Sequence, residues 1–231
     1  MIVFTQSALK REDFKKTEDV FNRVMNRDNI AVACLLRHKQ DGYRVIVANA
    51  HIHWDPAFSD VKLVQVAMLM EELDDLTNKW SKHLKSSPSQ DPAKVPLVIC
   101  GDFNSIPDSG VYEYMSRGII DCSHTEFQSH RYGKFTEVGM THLFGLRSAY
   151  AQGPGGKEIL PFTNYTPGFQ GVIDYIWYGT STLSVEAVMD GPEAAYIENV
   201  VGFPDPHFPS EYSPKWNVLM IVILLFLQNY V

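Results

Sequence analysis

Cysteine is scarce and odd in number: the chain of 231 residues holds three, Cys34, Cys100 and Cys122. They are too far apart for a zinc-type pair or a disulfide framework, so reduced thiols are expected, with Cys100 as a small core residue. Excess positive charge is also missing. Lysine and arginine total 20 against 27 acidic residues, a formal net charge of −7. That excludes diffuse, charge-driven binding of nucleic acid, which needs a basic face. It does not exclude an enzyme that acts on nucleic acid, because acidic metal ligands recruit phosphate through the cation. The opening stretch MIVFTQSALKREDFKK has no extended apolar segment and no small-residue cleavage site, so no secretory signal is expected. The apolar run Val218–Leu227 is ten residues long, short of the ~20 that a membrane helix needs. It reads either as a buried terminal strand or helix, or as a tail foreign to the rest of the chain. Repeats and low-complexity tracts are absent.

What is present is an ordinary globular composition, 45% hydrophobic and 20% charged, long enough for a real core in one large domain or two small ones. Asn29–His38 and Tyr43–Trp54 have the pattern of adjacent strands joined by the turn KQDG. From Ser59 to Trp80 the spacing becomes helical: Ser59 is the expected N-cap, and Leu63, Ala67, Met70, Leu73 and Trp80 share a face. A proline-bearing polar loop follows, then the strand LVIC and a short helix from about Ser109. PFTNYTPGFQGVIDYIWY reads as two strands around a Pro-Gly turn, and LSVEAVM as another strand. Residues 121–160 show no clear period. Early alternation of strand and helix with later strands predicts an α/β sandwich in one domain.

Four stretches place polar groups where a core pattern would not. At the end of the strand VIVANA stand His51 and His53, with Asn49 on the same face and a loop carrying Asp55 and Pro56 beyond. A strand-end histidine also has a plain structural reading, which suits His53 more than His51. After VPLVICG come Asp102 and Asn104, two apart; if the strand continues, both point the same way. A carboxylate and an amide there suit a metal-bound phosphate or a polarised water, although Gly-Asp-x-Asn is also a simple turn with an Asx cap. In NYTPGFQG, turn chemistry accounts for Pro167 and Gly168 but not for Phe169, a stacking platform for a base. Asp174 interrupts an apolar strand, where a carboxylate is costly unless paired with a charge, a metal or a histidine. Phosphodiester hydrolysis needs parts of these kinds: carboxylates for Mg²⁺, a group to position water and a donor to the non-bridging oxygen.

In this order, HIHWDP, GDFNS, FTNYTPGFQGVIDYIWY and HFPS resemble the exonuclease–endonuclease–phosphatase superfamily, and within it the carbon catabolite repressor type of poly(A)-specific deadenylase. The likeness covers about residues 8–210. GDFNS alone marks the superfamily; HWDP with FTNYTPGFQGVIDY points to the deadenylases. The resemblance implies a four-layer α/β sandwich, Mg²⁺ dependence and 3′-to-5′ removal of adenosines from mRNA tails as AMP, in the cytoplasm and nucleus and in complex with NOT-type subunits. It implies that Asp102 binds metal or activates water, that Asn104 and His51 contact the scissile phosphate, and that Pro56, Asn164 and Phe169 hold the terminal adenines of poly(A) RNA. Asp174 would orient the family's last catalytic histidine.

The chain departs from the family at two places. The family opens its nuclease domain with strands carrying a metal-binding glutamate, and this chain is expected to start downstream of them. Where the family has Ser-Asp-His, this sequence has Ser210, Glu211 and Tyr212. The expected organisation is therefore the C-terminal part of a nuclease domain over 1–210 and a divergent apolar tail over 211–231, read as the trace of a shifted frame, a retained intron or an assembly error. The chain itself is expected to be weakly active or inactive. Alternatives are another phosphodiesterase of the superfamily, or a dead fragment that binds RNA or complex subunits.

Overall fold

Strand alternation sets the layers of this molecule. The computed structural model describes residues 3–4, 15–16, 18–39, 42–81, 96–203 and 225–227. In chain order the elements are β1 (Val3–Phe4), β2 (Ala31–Arg37), β3 (Arg44–His51), α1 (Ser59–Ser81), β4 (Leu97–Asp102), α2 (Gly110–Arg117) and β5 (Ile119–Ile120). After these come α3 (Lys134–Glu137), β6 (Met140–Thr141), β7 (Leu146–Ser148), β8 (Asn164–Thr166) and β9 (Phe169–Gly171). The last are β10 (Asp174–Gly179), β11 (Leu183–Val185), α4 (Ala194–Ile197) and β12 (Leu225–Leu227). One mixed sheet of six strands has the order β1-β2-β3-β4-β10-β7. Among the described residues of this sheet, β3 and β4 are parallel, joined through α1, and the other neighbours are antiparallel.

Because successive side chains in a strand point to opposite faces, β4 feeds two cores. Leu97 and Ile99 join the larger core under α1 and α2, with Ile46, Ala48, Tyr175 and Trp177. Val98 and Cys100 join a second core with Ile176, Tyr178 and Leu183 of β11. Helices lie on one face and further strand on the other, which is the α/β sandwich. The central strands are buried on both sides, so they read as continuous apolar runs rather than alternating ones.

The expected apolar face of α1 is buried throughout, at Leu63, Ala67, Met70, Leu73 and Trp80. Ser59 does not cap it. Its hydroxyl instead donates to the Glu126 carbonyl at 3.2 Å, and a one-turn 3-10 helix, Pro56–Phe58, runs directly into α1. That turn is capped by Asp55, whose carboxylate accepts from the Ala57 N–H at 2.9 Å. Ser109 does cap α2, accepting from the Tyr112 N–H at 3.2 Å. Where one strand was expected after the Pro-Gly turn, there are two, β9 and β10. The break falls at Val172–Ile173, where the Thr163 hydroxyl takes the Ile173 and Asp174 N–H groups at 2.9 and 3.0 Å. The three cysteines are free, with Cys100 buried and its thiol pushed up to about 12 by burial. Within the terminal apolar run, β12 pairs antiparallel with β11. The Ser210–Tyr212 stretch lies outside the described residues.

Candidate active site

Three central strands bring His51, Asp102 and Asp174 into one row. His51 is the register partner of Asp102 across the parallel β3–β4 pair, and Asp174 is its partner across the antiparallel β4–β10 pair. Partners in register share a face, and the alternation along each strand puts this row on the face away from α1. On that face β3 stays uncovered at its end: Asn49 and His51 are exposed. The row therefore opens to solvent at His51, whose side chain is 58% exposed, and closes at Asp174, which is 5% exposed. His51 Nε2 stands 3.6 Å from Asp102 Oδ2, an ion-pair distance rather than a hydrogen bond.

Asp102 and Asn104 do come together, but not by continuation of the strand. β4 ends at Asp102, and Asn104 adopts a left-handed conformation with φ 46°, which asparagine tolerates better than most residues. The Asn104 N–H donates to Asp102 Oδ1 at 2.9 Å, an Asx turn. The Asn104 amide Nδ2 donates to the Ile52 carbonyl at 2.9 Å, which leaves its second N–H and Oδ1 for a ligand. The Ile52 N–H in turn donates to the Asp102 carbonyl at 2.9 Å. Gly101 is obligatory just before the turn: a Cβ there would lie 1.9 Å from the Ala50 carbonyl oxygen, and φ is 152°. The simple turn and the site are thus the same structure.

His53 does not share the face of His51. β3 stops at His51, and His53 turns inward, 6% exposed, with its ring edge-on to Phe58 at 5.4 Å. Burial, then the charge of Arg27, lowers its pKa, so it is a neutral structural histidine. Pro56 is exposed on the 3-10 turn five residues beyond His51. Asn164 and Phe169 lie on the β8–β9 hairpin, and Gly171 is followed by Val172 and Ile173, which lead straight into Asp174. The hairpin therefore hangs from the same end of the sheet as the row. Phe169 is 40% exposed, and its ring lies against Gly171, where an added Cβ would come within 2.8 Å of it.

Two residues escaped the sequence reading. Thr163 pins the entry to β10 and so places Asp174; nothing in its neighbourhood marks it. Lys62 is 6% exposed and donates to the Asn104 carbonyl at 2.7 Å. A lysine set among Val61, Leu63 and Val64 was the available signal.

The sequence pattern of the Endonuclease/Exonuclease/phosphatase family matches residues 31–210. Among curated proteins, the chain is 49% identical over 223 residues to the CCR4-Not complex 3'-5'-exoribonuclease subunit Ccr4 of Mycosarcoma maydis, covering 92% of this chain and 32% of that protein. It is 46% identical to the protein of the same description from Schizosaccharomyces pombe, covering 89% and 31%. The chain thus spans about a third of the length of these relatives. Among solved structures it is similar to ANGEL2, a 2',3'-cyclic phosphatase, with a TM-score of 0.61 and 23% identity over 83% of this chain and 60% of that one. The human Nocturnin catalytic domain gives 0.53 and 21%, over 84% and 54%. These two likenesses concern the fold.

Proposed function

The chain belongs to the Endonuclease/Exonuclease/phosphatase family, and on that premise we propose that it is the catalytic part of a 3′-to-5′ exoribonuclease that removes poly(A) tails from mRNA as AMP. The observation that carries the reading is the His51–Asp102–Asp174 row, with an exposed Phe169 on a hairpin that hangs from the same end of the sheet. The relatives described as CCR4-Not complex 3'-5'-exoribonuclease subunits support RNA as the substrate class and, for the whole protein, NOT-type partners; action in the cytoplasm and nucleus is part of the same proposal. The domain division is part of the same reading: 1–210 as the C-terminal part of the nuclease domain, 211–231 as a divergent apolar tail.

Nucleases of this family use divalent metal ions, and Mg²⁺ is the ion proposed. Among the described residues no group of three His, Cys, Asp or Glu could hold a metal unaided. Mg²⁺ keeps several waters and binds through one or two carboxylates plus substrate phosphate. Asp102, with Asp174 beside it in register, fits that demand. When bound, the ion would supply Lewis-acid stabilisation of the phosphate charge. His51 would donate to a non-bridging phosphate oxygen, and the second N–H of Asn104 would reach the same group. Asp102, through Oδ2, would hold the ion or orient water. Pro56, Asn164 and Phe169 would hold adenines, Phe169 by stacking.

Turnover by this chain is expected to be slow. Tyr212 stands where the family has histidine, and a phenol with pKa ~10 is a poor proton shuttle at neutral pH. The test is AMP release from an all-A oligoribonucleotide, with and without Mg²⁺, beside an all-U one. Mg²⁺-dependent release from the A oligomer, lost in Asp102→Ala, is expected. Equal release from both oligomers would make the chain a broad phosphodiesterase instead, and binding without any release would make it an RNA-binding fragment.

A further inference from the structure

We infer that Lys62 is a positioning residue of the catalytic centre, its ammonium fixing the Asp102–Asn104 turn from the helix layer. The inference rests on the reading of that turn as catalytic.

Lys62 is flanked along the chain by buried apolar residues. Val61, Leu63, Val64, Val66 and Ala67 of α1 are fully buried, and Lys62 itself is 6% exposed. Lysines that lie along apolar surface normally carry the ammonium out to water. Here Nζ ends on the Asn104 carbonyl at 2.7 Å. A buried ammonium is costly unless hydrogen bonded and compensated by charge, and the helix would pack without it.

The turn explains why the lysine is kept there. With φ at 46°, Asn104 sends its carbonyl inward to α1, and a buried carbonyl needs a donor. Two of its other polar groups are tied elsewhere: the backbone N–H to Asp102 Oδ1, and one Nδ2 N–H to the Ile52 carbonyl. Lys62 is thus the tie between the turn and α1, while Ile52 is the tie to the exit of β3. Remove the ammonium and the left-handed residue loses the contact that holds its carbonyl inward, so the Asp102 carboxylate and the Asn104 amide lose their common frame. Burial lowers the Lys62 pKa, and the carboxylates of Glu126, Asp55 and Asp102 oppose that shift.

The test compares Lys62→Met, similar in length and apolar, and Lys62→Arg, which keeps the charge, with the parent. Three readouts are taken: the urea midpoint, kcat and KM for AMP release, and amide hydrogen exchange by peptide. Lys62→Met is expected to keep or raise the midpoint while kcat falls by about 10²-fold and KM stays within about threefold. Exchange should quicken over 102–105 and not along α1, and Lys62→Arg should recover part of kcat. An unchanged kcat in Lys62→Met, or a lowered midpoint with faster exchange along all of α1, would overturn the inference. If the parent chain releases no AMP from the A oligomer, the poly(A) reading falls, and the exchange over 102–105 decides Lys62 alone: unchanged exchange there sinks it.

Discussion

His51 and Asp102 are register partners on the parallel pair β3–β4 of the six-stranded sheet, with Nε2 3.6 Å from Oδ2. A parallel pair needs a crossover, here through α1, and that crossover puts the two strand ends, and both side chains, at the same edge. The antiparallel β10 then delivers Asp174 to the same row from the opposite chain direction. Residues spread from 51 to 174 meet because three strands stop or start on one line. Asp102→Asn isolates the charge, since the amide oxygen can still accept the Asn104 N–H. Turnover should fall by about 10²–10⁴-fold with the thermal midpoint unchanged within a few degrees. A variant that kept a tenth of the activity would remove Asp102 from the chemistry.

Gly101→Ala should unfold the edge that carries the site. The added Cβ would sit 1.9 Å from a backbone oxygen of the neighbouring strand, and neither strand can move without breaking the row. A loss of about 3 kcal/mol or more is expected, in the class of severe backbone and packing defects. Urea unfolding reads it; a loss below about 1 kcal/mol would show that the strands part more easily than the register suggests.

Phe169 and Gly171 should act as one unit on base preference. Stacking contributes about 1–3 kcal/mol per base, so Phe169→Ala should raise KM for the A oligomer or blur its preference over U. Gly171→Ala places a methyl 2.8 Å from the end of the Phe169 ring. That ring is exposed and can swing away, so the same blurring is expected with stability unchanged. Normal A-over-U preference in both variants would refute the stacking role.

How much of this was legible in the sequence follows from what each residue interrupts. Asp102, His51 and Asp174 stand out because each breaks an apolar strand pattern, and the break survives folding as a row. Asn104 was legible as a partner of Asp102 but for the wrong cause, since the two-residue spacing works through an Asx turn and not through a continuing strand. His53 obeyed the spacing and still left the face, because the strand ends at His51 and Phe58 offers an apolar niche. Thr163 and Lys62 were invisible or nearly so. Their roles come from backbone groups they satisfy 11 and 42 positions away, and no local pattern encodes a carbonyl's need for a donor.

Acid should weaken the fold through two histidines. Burial lowers the pKa of His53 and of His142 below the ordinary ~6.5. The unfolded chain then binds more protons than the folded one between the folded pKa values and ~6.5, so stability rises with pH through that window and levels off above it. Urea midpoints from pH 5 to 7.5 should show this slope, and His53→Phe, which can keep the edge contact with Phe58, should flatten part of it. A midpoint independent of pH below 6.5 would contradict the burial argument.

The segment before β2 should depend on a buried ion pair. Asp60 has no exposure at all, and Arg23 grips it with Nε on Oδ2 at 2.9 Å and Nη2 on Oδ1 at 3.1 Å. The Tyr132 hydroxyl also donates to Oδ2, and Arg23 lies over the Phe58 ring at 5.0 Å. The pair joins the 18–27 region, the start of α1 and the 125–132 loop, all beside the turn that carries Pro56. The partners are unequal, because Arg23 is 22% exposed and can still reach water. Arg23→Ala strands a buried carboxylate and should cost about 3–5 kcal/mol, whereas Asp60→Asn frees a cation that can rehydrate and should cost clearly less. Urea unfolding of both variants checks this. Equal losses in the two variants would mean that packing against Phe58, and not the buried charge, holds this corner of the fold.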